Sequence, residues 1–283
     1  MKKKLIAMLS IMTISASALI GCGSASTNSD STTASDDNQT TTVTEADHLA
    51  RIKEAGKITI ATEGVWAPFT YHDPDSEELV GFDVEVAAAI AEKLGVEPEF
   101  KEVAFDGGLT GVSTGSFDMM ANGVDVTEER SNTYDFTDAY AYDHAVVVTL
   151  ASNNSIKSFD DLDGKTTANS AGSTYEAMGI EHGATVSNVD TLGETMTLVL
   201  NGTVDATVNA NTSVSDYIKT TGTKDLKVAA VDEETTNYAI PLAKGSDNDT
   251  LREAINQAIK ELREDGTLSK ISEKYFGTDI TAE

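Results

Sequence analysis

The residue best suited to binding chemistry is an arginine, Arg130, at the start of a predicted short helix. Residues 119–124 form an apolar run typical of a buried strand, and Thr127 is a suitable N-cap for the helix after it. Glu128 and Glu129 occupy the first turn, where acidic side chains suit the helix dipole. A guanidinium at this junction can hold a carboxylate through two parallel hydrogen bonds. The pattern therefore predicts a carboxylate-binding site.

The same arginine has a second interpretation, because acidic residues surround it in the sequence. Arg130 could form a structural ion pair with Asp125, Glu128 or Asp135 and contact no ligand. Such ion pairs are commoner than ligand clamps. From the residues alone, both interpretations stay open.

A nucleophile motif gives a hydrolase alternative, because residues 111–115 match Gly-x-Ser-x-Gly with Ser113 at the centre. The motif requires a strand directly before it and a helix directly after it. Residues 105–110 are instead typical of a loop or a helix start, and Gly108 and Gly111 should weaken that helix. We therefore treat the match as chance.

Composition and spacing argue against several other classes. The chain has 20 basic and 47 acidic residues, a formal net charge of −27, so nucleic-acid partners are not expected. No cofactor motif and no paired histidine spacing occur, so neither a cofactor nor a metal is predicted. A surface or loop position is expected for each histidine: His48, His72, His144 and His182.

The N-terminal residues have the features of an export signal. Three lysines precede an apolar run that is too short for a comfortable membrane span, so residues 1–21 are predicted to be a signal peptide. Residues 19–22 resemble the lipobox of bacterial lipoproteins, which predicts lipidation of Cys22; a free reactive thiol is the alternative. Because Cys22 is the only cysteine, an internal disulfide is excluded.

The rest of the chain divides into a linker and two predicted lobes. Residues 22–44 are almost all small and polar, which predicts a lipid-anchored flexible linker. The remaining residues suffice for two compact lobes. We assign residues 45–144 to the first part of lobe one, 145–238 to lobe two, and 239–283 to the return to lobe one.

Alternating strand and helix patterns predict α/β lobes, each an open sheet flanked by helices. Two crossing hinge strands are predicted at residues 145–150 and 238–242. The other predicted strands are residues 57–62, 99–103, 119–124, 166–169, 205–208 and 226–231. The predicted helices are residues 83–94, 173–183, 191–201, 251–262 and 268–275.

Several separate motifs occur together in one known family. They are Phe69, Gly81-Phe82-Asp83, residues 121–138, Asp265-Gly266-Thr267-Leu268 and Lys274-Tyr275-Phe276-Gly277. In these motifs and their order, the chain resembles the polar amino-acid branch of the bacterial solute-binding proteins that serve ABC transporters. The resemblance implies a two-lobe periplasmic-binding-protein-like fold that closes around its ligand, with the C-terminal helices rejoining lobe one.

The resemblance also implies a ligand site in lobe one, and it favours a ligand-carboxylate clamp for Arg130 over a structural ion pair. Trp66 and Phe105 match positions where the family has aromatic residues beside the ligand side chain. Asn122, Gly123 and Asp125 match the segment that holds the ligand's ammonium and carboxylate. The glycine would also let a ligand or another part of the chain approach its backbone closely.

Asp125 departs from the family pattern, which has serine or threonine there. Since an anionic side chain would repel the ligand's carboxylate, we expect Asp125 to face the ammonium or to pair with Arg130. In lobe two, Ser173 and Thr174 open a predicted helix whose N-terminus suits the carboxylate.

A second departure lies in lobe two, where Ala210 replaces the aspartate with which most members hold the ammonium. Either Asp125 takes over this role, with help from Asn209 or Asn211, or the ligand is not a plain α-amino acid. Residues 166–170, with the Asp125 substitution, resemble the cystine-type members more than the glutamine-type or basic ones.

The resemblance implies an extracytoplasmic, lipid-anchored, monomeric protein that is not an enzyme. It would capture a polar amino acid, with cystine favoured, and deliver it to an ABC permease and its ATPase. Two alternatives stay open. One is an enzyme on the same exported scaffold, either a hydrolase that uses Ser113 or a dehydratase, and the other is a binder of a different solute.

Overall fold

The computed structural model describes residues 47–282. The predicted signal peptide, the lipidation site Cys22 and the linker at residues 22–44 lie outside this range and stay predictions. The described residues form one compact unit. No helix among the described residues is long and apolar enough to cross a membrane.

Strands and helices alternate along the described chain, which confirms the predicted α/β class. The strands are β1 (Lys57–Thr62), β2 (Val65–Trp66), β3 (Thr70–His72), β4 (Leu79–Val80), β5 (Glu97–Glu102), β6 (Met119–Met120), β7 (Tyr134–Phe136), β8 (Ala141–Leu150), β9 (Thr166–Asn169), β10 (Thr185–Asn188), β11 (Ala206–Ala210), β12 (Leu226–Tyr238) and β13 (Pro241–Ala243). The α-helices are α1 (His48–Ala55), α2 (Phe82–Leu94), α3 (Phe105–Ser113), α4 (Glu128–Thr133), α5 (Thr174–Glu181), α6 (Leu192–Leu200), α7 (Asn211–Thr221), α8 (Asp249–Glu264) and α9 (Thr267–Phe276).

The sheet of lobe one has the parallel order β5-β1-β6. Ile58 and Ile60 of β1 are fully buried beneath helix α2, which packs on β1 and β5. Helix α2 begins after Gly81, whose φ is 137° and where a Cβ would lie 2.2 Å from the carbonyl oxygen of Phe69. Only glycine fits this start. Helices α8 and α9 both pack against α2, so the C-terminal part of the described chain lies in lobe one.

The sheet of lobe two has the order β10-β9-β11-β8-β12. Strands β9, β10 and β11 are parallel to one another, whereas β8 is antiparallel to β11 and β12. Strand β10 and helix α7 were absent from the sequence-based prediction. Strand β10 lies at an edge of the sheet and has no fully buried residue, so its sequence shows no apolar alternation that would reveal a strand.

The two longest strands, β8 and β12, form an antiparallel ribbon that runs toward lobe one. Their pairing extends from Leu150 with Leu226 to Ala141 with Tyr238, and Tyr238 also forms a bridge with Asp125 of lobe one. The ribbon therefore begins four residues before the first predicted crossing strand. The lobe boundaries at residues 144/145 and 238/239 remain predictions.

Helix α3 forms over Phe105–Ser113 despite its glycines. A Cβ at Gly108 would lie 2.9 Å from the sulfur of Met120, and one at Gly111 would lie 2.3 Å from the ring of Phe117. Both glycines thus let the helix approach its neighbours closely, and this packing outweighs their low helix propensity.

The first histidine of the chain corrects the expectation of a surface or loop position. His48 begins helix α1, and only 15% of its side chain is exposed. Its Nε2 lies 2.6 Å from Oδ1 of Asp118, and its Nδ1 contacts Oδ1 of Asn248. Because Nδ2 of Asn248 donates to the carbonyl of Ala243, its Oδ1 must accept. Both ring nitrogens therefore donate, which requires the imidazolium form.

Candidate functional site

A cleft lies beyond the carboxyl ends of strands β1, β9 and β11, the position where α/β sheets place ligands. It contains about 490 Å³ of space between atoms, part of it open to solvent. The cleft is lined by Glu63, Val65, Trp66, Phe105, Asn122, Gly123, Asp125, Asn169, Ser170, Ser173, Thr174, Tyr175, Asp190, Leu192, Thr195 and Asn209. All the predicted ligand-binding residues are in this set except Arg130.

Arg130 is buried beside the cleft and is held by both lobes. Its Nη1 donates to the carbonyl oxygen and to Oδ1 of Asp125, at 3.1 and 3.0 Å. Its Nη2 donates to the carbonyl of Gly172 at 3.0 Å, and the guanidinium lies 5.2 Å from the ring centre of Phe105. The structure thus contains the ion pair that the sequence left open. The clamp for a ligand carboxylate stays a prediction.

Asp125 connects the arginine to lobe two. Its Oδ1 accepts from Arg130, and its Oδ2 accepts from the hydroxyl of Thr174 at the start of helix α5. Only 9% of the residue is exposed, so this carboxylate is largely removed from solvent. Asp125 therefore neutralises the arginine and closes a hydrogen-bonded link across the cleft.

The N-terminus of α5 uses part of its donor capacity within the protein. The Ser173 hydroxyl caps the helix by accepting from the backbone N–H of Glu176 at 3.1 Å. The N–H of Gly172 donates to a carboxylate oxygen of Glu176 at 2.6 Å. The backbone N–H groups of Thr174 and Tyr175 lie in the first turn, where no carbonyl of the helix itself can accept from them. These two groups are the donors that the helix offers to an anion.

Asn122 and Gly123 line the cleft, and their polar groups form hydrogen bonds within the protein. Asn122 donates to Oε2 of Glu63 at 2.6 Å and accepts from the backbone N–H of Glu63 at 2.8 Å. The N–H of Gly123 donates to Asp83 at 2.6 Å. A Cβ on Gly123 would lie 2.5 Å from the Trp66 ring, so the close approach that this glycine allows is made by Trp66.

Asp83, in the Gly81-Phe82-Asp83 motif, binds the backbone of a residue that lines the cleft. Its carboxyl accepts from Tyr140 at 2.7 Å as well as from Gly123. Burial raises the pKa of Asp83 to about 7, and the two hydrogen bonds act in the opposite direction. The motif therefore positions the backbone of the predicted binding segment and does not line the cleft itself.

Trp66 forms one wall of the cleft and reaches lobe two. Its ring stacks on Phe69 with centres 4.2 Å apart, and its Nε1 donates to Oδ1 of Asn209 at 3.3 Å. Asn209 therefore lies at the cleft, as predicted. Ala210 is fully buried, and Asn211 begins helix α7 without lining the cleft.

Glu63 was missed by the sequence analysis, although it lines the cleft. Burial raises the pKa of its carboxyl to about 7, the hydrogen bond from Asn122 lowers it, and the charge of Asp190 raises it. Glu63 directly follows β1, so the rule that ligands bind beyond strand ends could have identified it. Asn169 ends β9 and could have been found in the same way, whereas Asp190 follows the unpredicted strand β10.

The serine of the Gly-x-Ser-x-Gly match lies at the end of helix α3, not on a strand-to-helix turn. Its hydroxyl donates to the carbonyl of Thr110 at 2.9 Å. A nucleophilic serine also needs a histidine as its base, but the ring Nδ1 of His144 contacts the carbonyl oxygens of residues 232 and 234. The nucleophile interpretation of Ser113 therefore has no structural support. Between residues 47 and 282, no group of three or more metal-ligating side chains could hold a metal ion.

Residues 58–278 match the family described as "Bacterial extracellular solute-binding proteins, family 3". The chain is 40% identical over 281 residues to the L-cystine-binding protein TcyA of Bacillus subtilis, which covers 99% of this chain and 100% of that protein. It is 32% identical to the L-cystine-binding protein TcyJ of Escherichia coli, over 82% of this chain and 87% of that protein.

Two solved structures are similar to this chain. An ancestral arginine-binding protein bound to arginine is 37% identical, with a TM-score of 0.73 over 78% of this chain and 99% of that chain. The L-cystine solute receptor of Neisseria gonorrhoeae, in an unliganded open conformation, is 40% identical with a TM-score of 0.56, over 83% of this chain and 98% of that chain.

Proposed function

Because the chain belongs to the bacterial extracellular solute-binding proteins of family 3, we propose that it captures L-cystine for an ABC importer. The lobes close on the ligand, and the closed protein delivers it to a membrane permease with its ATPase. The observation that carries this proposal is the polar link across the cleft, in which Arg130, Asp125, Gly172 and Thr174 connect the two lobes directly. The choice of cystine is supported by the named ligands of the full-length relatives.

The cleft, together with Arg130 beside it, provides groups for both ends of an α-amino acid. The ligand's carboxylate accepts from the N–H groups of Arg130 that Asp125 and Gly172 leave free, and from the first-turn N–H groups of α5. Its ammonium donates to the carboxylate of Asp125, which takes over from the aspartate that Ala210 replaces. The β8–β12 ribbon provides the hinge, because it is the part of the described chain that passes between the lobes.

The protein acts outside the cytoplasm as a monomer held to the membrane by a lipid on Cys22. Export and lipidation can be tested together by comparing the full-length chain with its Cys22→Ala variant after cell fractionation. The wild type should remain in the membrane fraction, and the variant should be released. If both proteins partition equally, the anchor is wrong.

The ligand can be identified by thermal unfolding. Residues 45–283 are unfolded and refolded to remove any carried-over ligand, and their melting temperature is measured with each amino acid and with cystine. A specific ligand stabilises the native state by about 2.7 kcal/mol at a hundredfold excess over Kd. A large shift with cystine supports the proposal. No shift with any of these compounds would contradict it and direct the search to peptides, amines and carboxylates.

A further inference from the structure

A second concave surface lies on lobe one, away from the cleft. We call it the α1 groove, because helix α1 contributes residues to its lining. The start of β1, the turn before β6 and residues 243–248 form the rest of the lining. The groove contains about 1310 Å³ of space between atoms, part of it open to solvent. It shares no lining residue with the cleft.

The α1 groove and the cleft lie at opposite ends of strand β1. Lys57, the first residue of β1, lines the groove, whereas Glu63, directly after the last residue of β1, lines the cleft. A strand of six residues is about 20 Å long. The groove is therefore on the far side of lobe one from the cleft, and ligand capture needs none of its residues.

The groove carries basic side chains on a strongly acidic protein. Arg51, Lys57 and Lys244 line it and are exposed, while the chain as a whole has 20 basic and 47 acidic residues. The Nζ of Lys244 donates to the carbonyl of Ser131 at 2.5 Å, a neutral partner that leaves its charge in place. Lys57 pairs with Glu99, yet 54% of its side chain is exposed. An anion that enters the groove therefore meets three cationic side chains.

The acids of the lining oppose this positive charge only in part. Oδ1 of Asp118 accepts from His48, and its Oδ2 accepts from the backbone N–H and the hydroxyl of Thr59, each at 2.6 Å. Because both ring nitrogens of His48 donate, the imidazolium balances the charge of Asp118. Asp247 is the other acid among the described residues of the lining. The cationic side chains of the groove therefore outnumber the acid that remains.

The groove lies beside the point at which the described chain begins. Asp47 is the first described residue, and its side chain caps helix α1 by accepting from the N–H of Ala50 at 2.9 Å. Under the proposed function, residues 22–46 connect this point to a lipid on Cys22. A flexible linker of that length spans about 25–30 Å. The headgroups of the membrane are therefore within reach of the groove.

We propose that the α1 groove binds the phosphate groups of an anionic membrane surface, and that this contact holds the anchored protein with its cleft on the side away from the membrane. The inference rests on the lipid anchor of the proposed function. Each Lys or Arg near an anionic surface favours contact by about fivefold. In this orientation the cleft is open to solutes, and delivery to a permease requires release from the lipid.

The acidity of the rest of the protein does not prevent this contact. Electrostatic forces in physiological salt decay over about 8 Å, so only the charges nearest the membrane act on it. The acids at the cleft lie roughly 20 Å from the groove, at the other end of β1. The same acids repel the membrane when the molecule turns over, which favours the proposed orientation over the opposite one.

The contact can be measured by lysine acylation on vesicles. The chain from Cys22 onward is coupled through this only cysteine to a maleimide lipid, so the test does not depend on lipidation in cells. One set of vesicles contains phosphatidylcholine, and the other contains phosphatidylcholine and phosphatidylglycerol in equal parts. Acylation of Lys57 and Lys244 by a water-soluble ester, followed by mass spectrometry, should be about threefold slower or more on the second set. Lys157 and Lys219 are exposed outside the groove and should react equally on both sets.

Charge-removing variants test whether the groove causes the protection. Arg51→Gln with Lys244→Gln should remove most of the protection of Lys57 on the phosphatidylglycerol vesicles. Lys157→Gln with Lys219→Gln removes the same charge elsewhere and should leave the protection intact. Should the groove variant fail to fold, Lys244→Gln alone changes one exposed side chain and carries the same test. Salt at about 1 M should abolish the protection in every protein, because the Debye length is then only about 3 Å.

Energy transfer from Trp66 measures the orientation. Trp66 is the only tryptophan of the chain, and it lines the cleft. Transfer from Trp66 to dansyl groups on the lipid heads should be weaker on the phosphatidylglycerol vesicles, because the cleft is then held away from the surface. Equal or stronger transfer there would contradict the orientation.

The remaining outcomes separate this inference from the proposed function. Equal acylation on the two sets of vesicles, or protection that survives in the groove variant, would overturn the membrane contact and leave cystine capture untouched. Glycerol phosphate is added to the phosphatidylcholine vesicles as a soluble phosphate. If it protects Lys57 as well as phosphatidylglycerol does, the groove binds free phosphate and the membrane assignment is wrong. A failed lipid anchor is detected by the Cys22→Ala fractionation, which the vesicle test does not require.

Discussion

Two charged regions at one cleft differ in how completely other protein groups pair with their charges and hydrogen-bonding atoms. Around Arg130, the guanidinium, Asp125 and Thr174 bind one another across the lobes. Around Glu63, the charge of a second acid, Asp190 of lobe two, raises the pKa of the carboxyl, and Asn169 keeps an unpartnered oxygen. A region whose charges bind one another can hold the lobes together, whereas two acids in the same cleft cannot. Substitutions in the two regions are therefore expected to have different effects.

The largest effect is expected from breaking the satisfied region. Arg130→Ala leaves the largely buried Asp125 without its counterion, which should cost roughly 3–5 kcal/mol of stability. Cystine affinity should also fall by about a hundredfold or more, because charge-assisted hydrogen bonds to the ligand's carboxylate are lost. Urea unfolding and calorimetry measure the two quantities.

A double variant separates stability from binding at this site. Arg130→Ala with Asp125→Ala removes both charges, so much of the stability should return while cystine binding stays lost. Arg252→Ala, on helix α8 and outside the cleft, is the control for removal of an arginine. Wild-type affinity in the folded Arg130→Ala protein would contradict the predicted clamp.

The next largest effect is expected from substitutions in helix α3, which carries residues that act on both charged regions. It carries Phe105 beneath Arg130 and Asp106, whose charge raises the pKa of Glu63. Gly111→Ala should destabilise the protein by about 1–3 kcal/mol, since its Cβ would meet the Phe117 ring. Gly107→Ala on the same helix has nothing within 4 Å and should stabilise by roughly 0.5–1 kcal/mol. Equal unfolding free energies for the two variants would argue against the close packing of α3.

A smaller effect is expected from a change of pH, which tests the region around Glu63. The pKa of Glu63 is raised to about 7, by burial first and also by Asp190 and Asp106. Because the native state binds this proton more tightly than the unfolded chain does, the free energy of unfolding should fall as pH rises from about 4.5 to 7. Urea unfolding at several pH values should show this slope in wild type. Its persistence in Glu63→Gln would assign it to another group.

The smallest effect is expected at His48, which lies outside both charged regions. The hydrogen bond to Asp118 raises the pKa of His48, so the protonated form stabilises the fold fully below about 6.5 and this contribution is lost as pH rises through the raised value. His48→Gln should lower the unfolding free energy by about 1 kcal/mol at pH 6 and by less at pH 8.5. Cystine affinity should not change. A constant difference at both pH values would exclude the imidazolium pair.

Local patterns were sufficient for much of the fold and for the Arg130 segment. The Thr127 cap is present, since its hydroxyl accepts from the Arg130 backbone at 3.1 Å, and strand β9 spans the predicted residues 166–169. Strand β6 is shorter than predicted, because only Met119 and Met120 pair with β1. Caps and apolar periodicity depend on neighbours a few residues away, and the sequence therefore contains them.

The partners of each site residue were decided only by the tertiary structure. The sequence showed that Asp125 and Arg130 are close in the chain. It could not show that the hydroxyl of Thr174, on the other lobe, would also donate to the carboxylate of Asp125. It also could not show that Glu63 and Asp190 face the same cleft. These contacts join residues far apart in the chain, and they depend on how two sheets are oriented. The sequence by itself determined the α/β class, the family motifs and the arginine. The packing of the two lobes determined which charges pair with each other and which acids share the cleft.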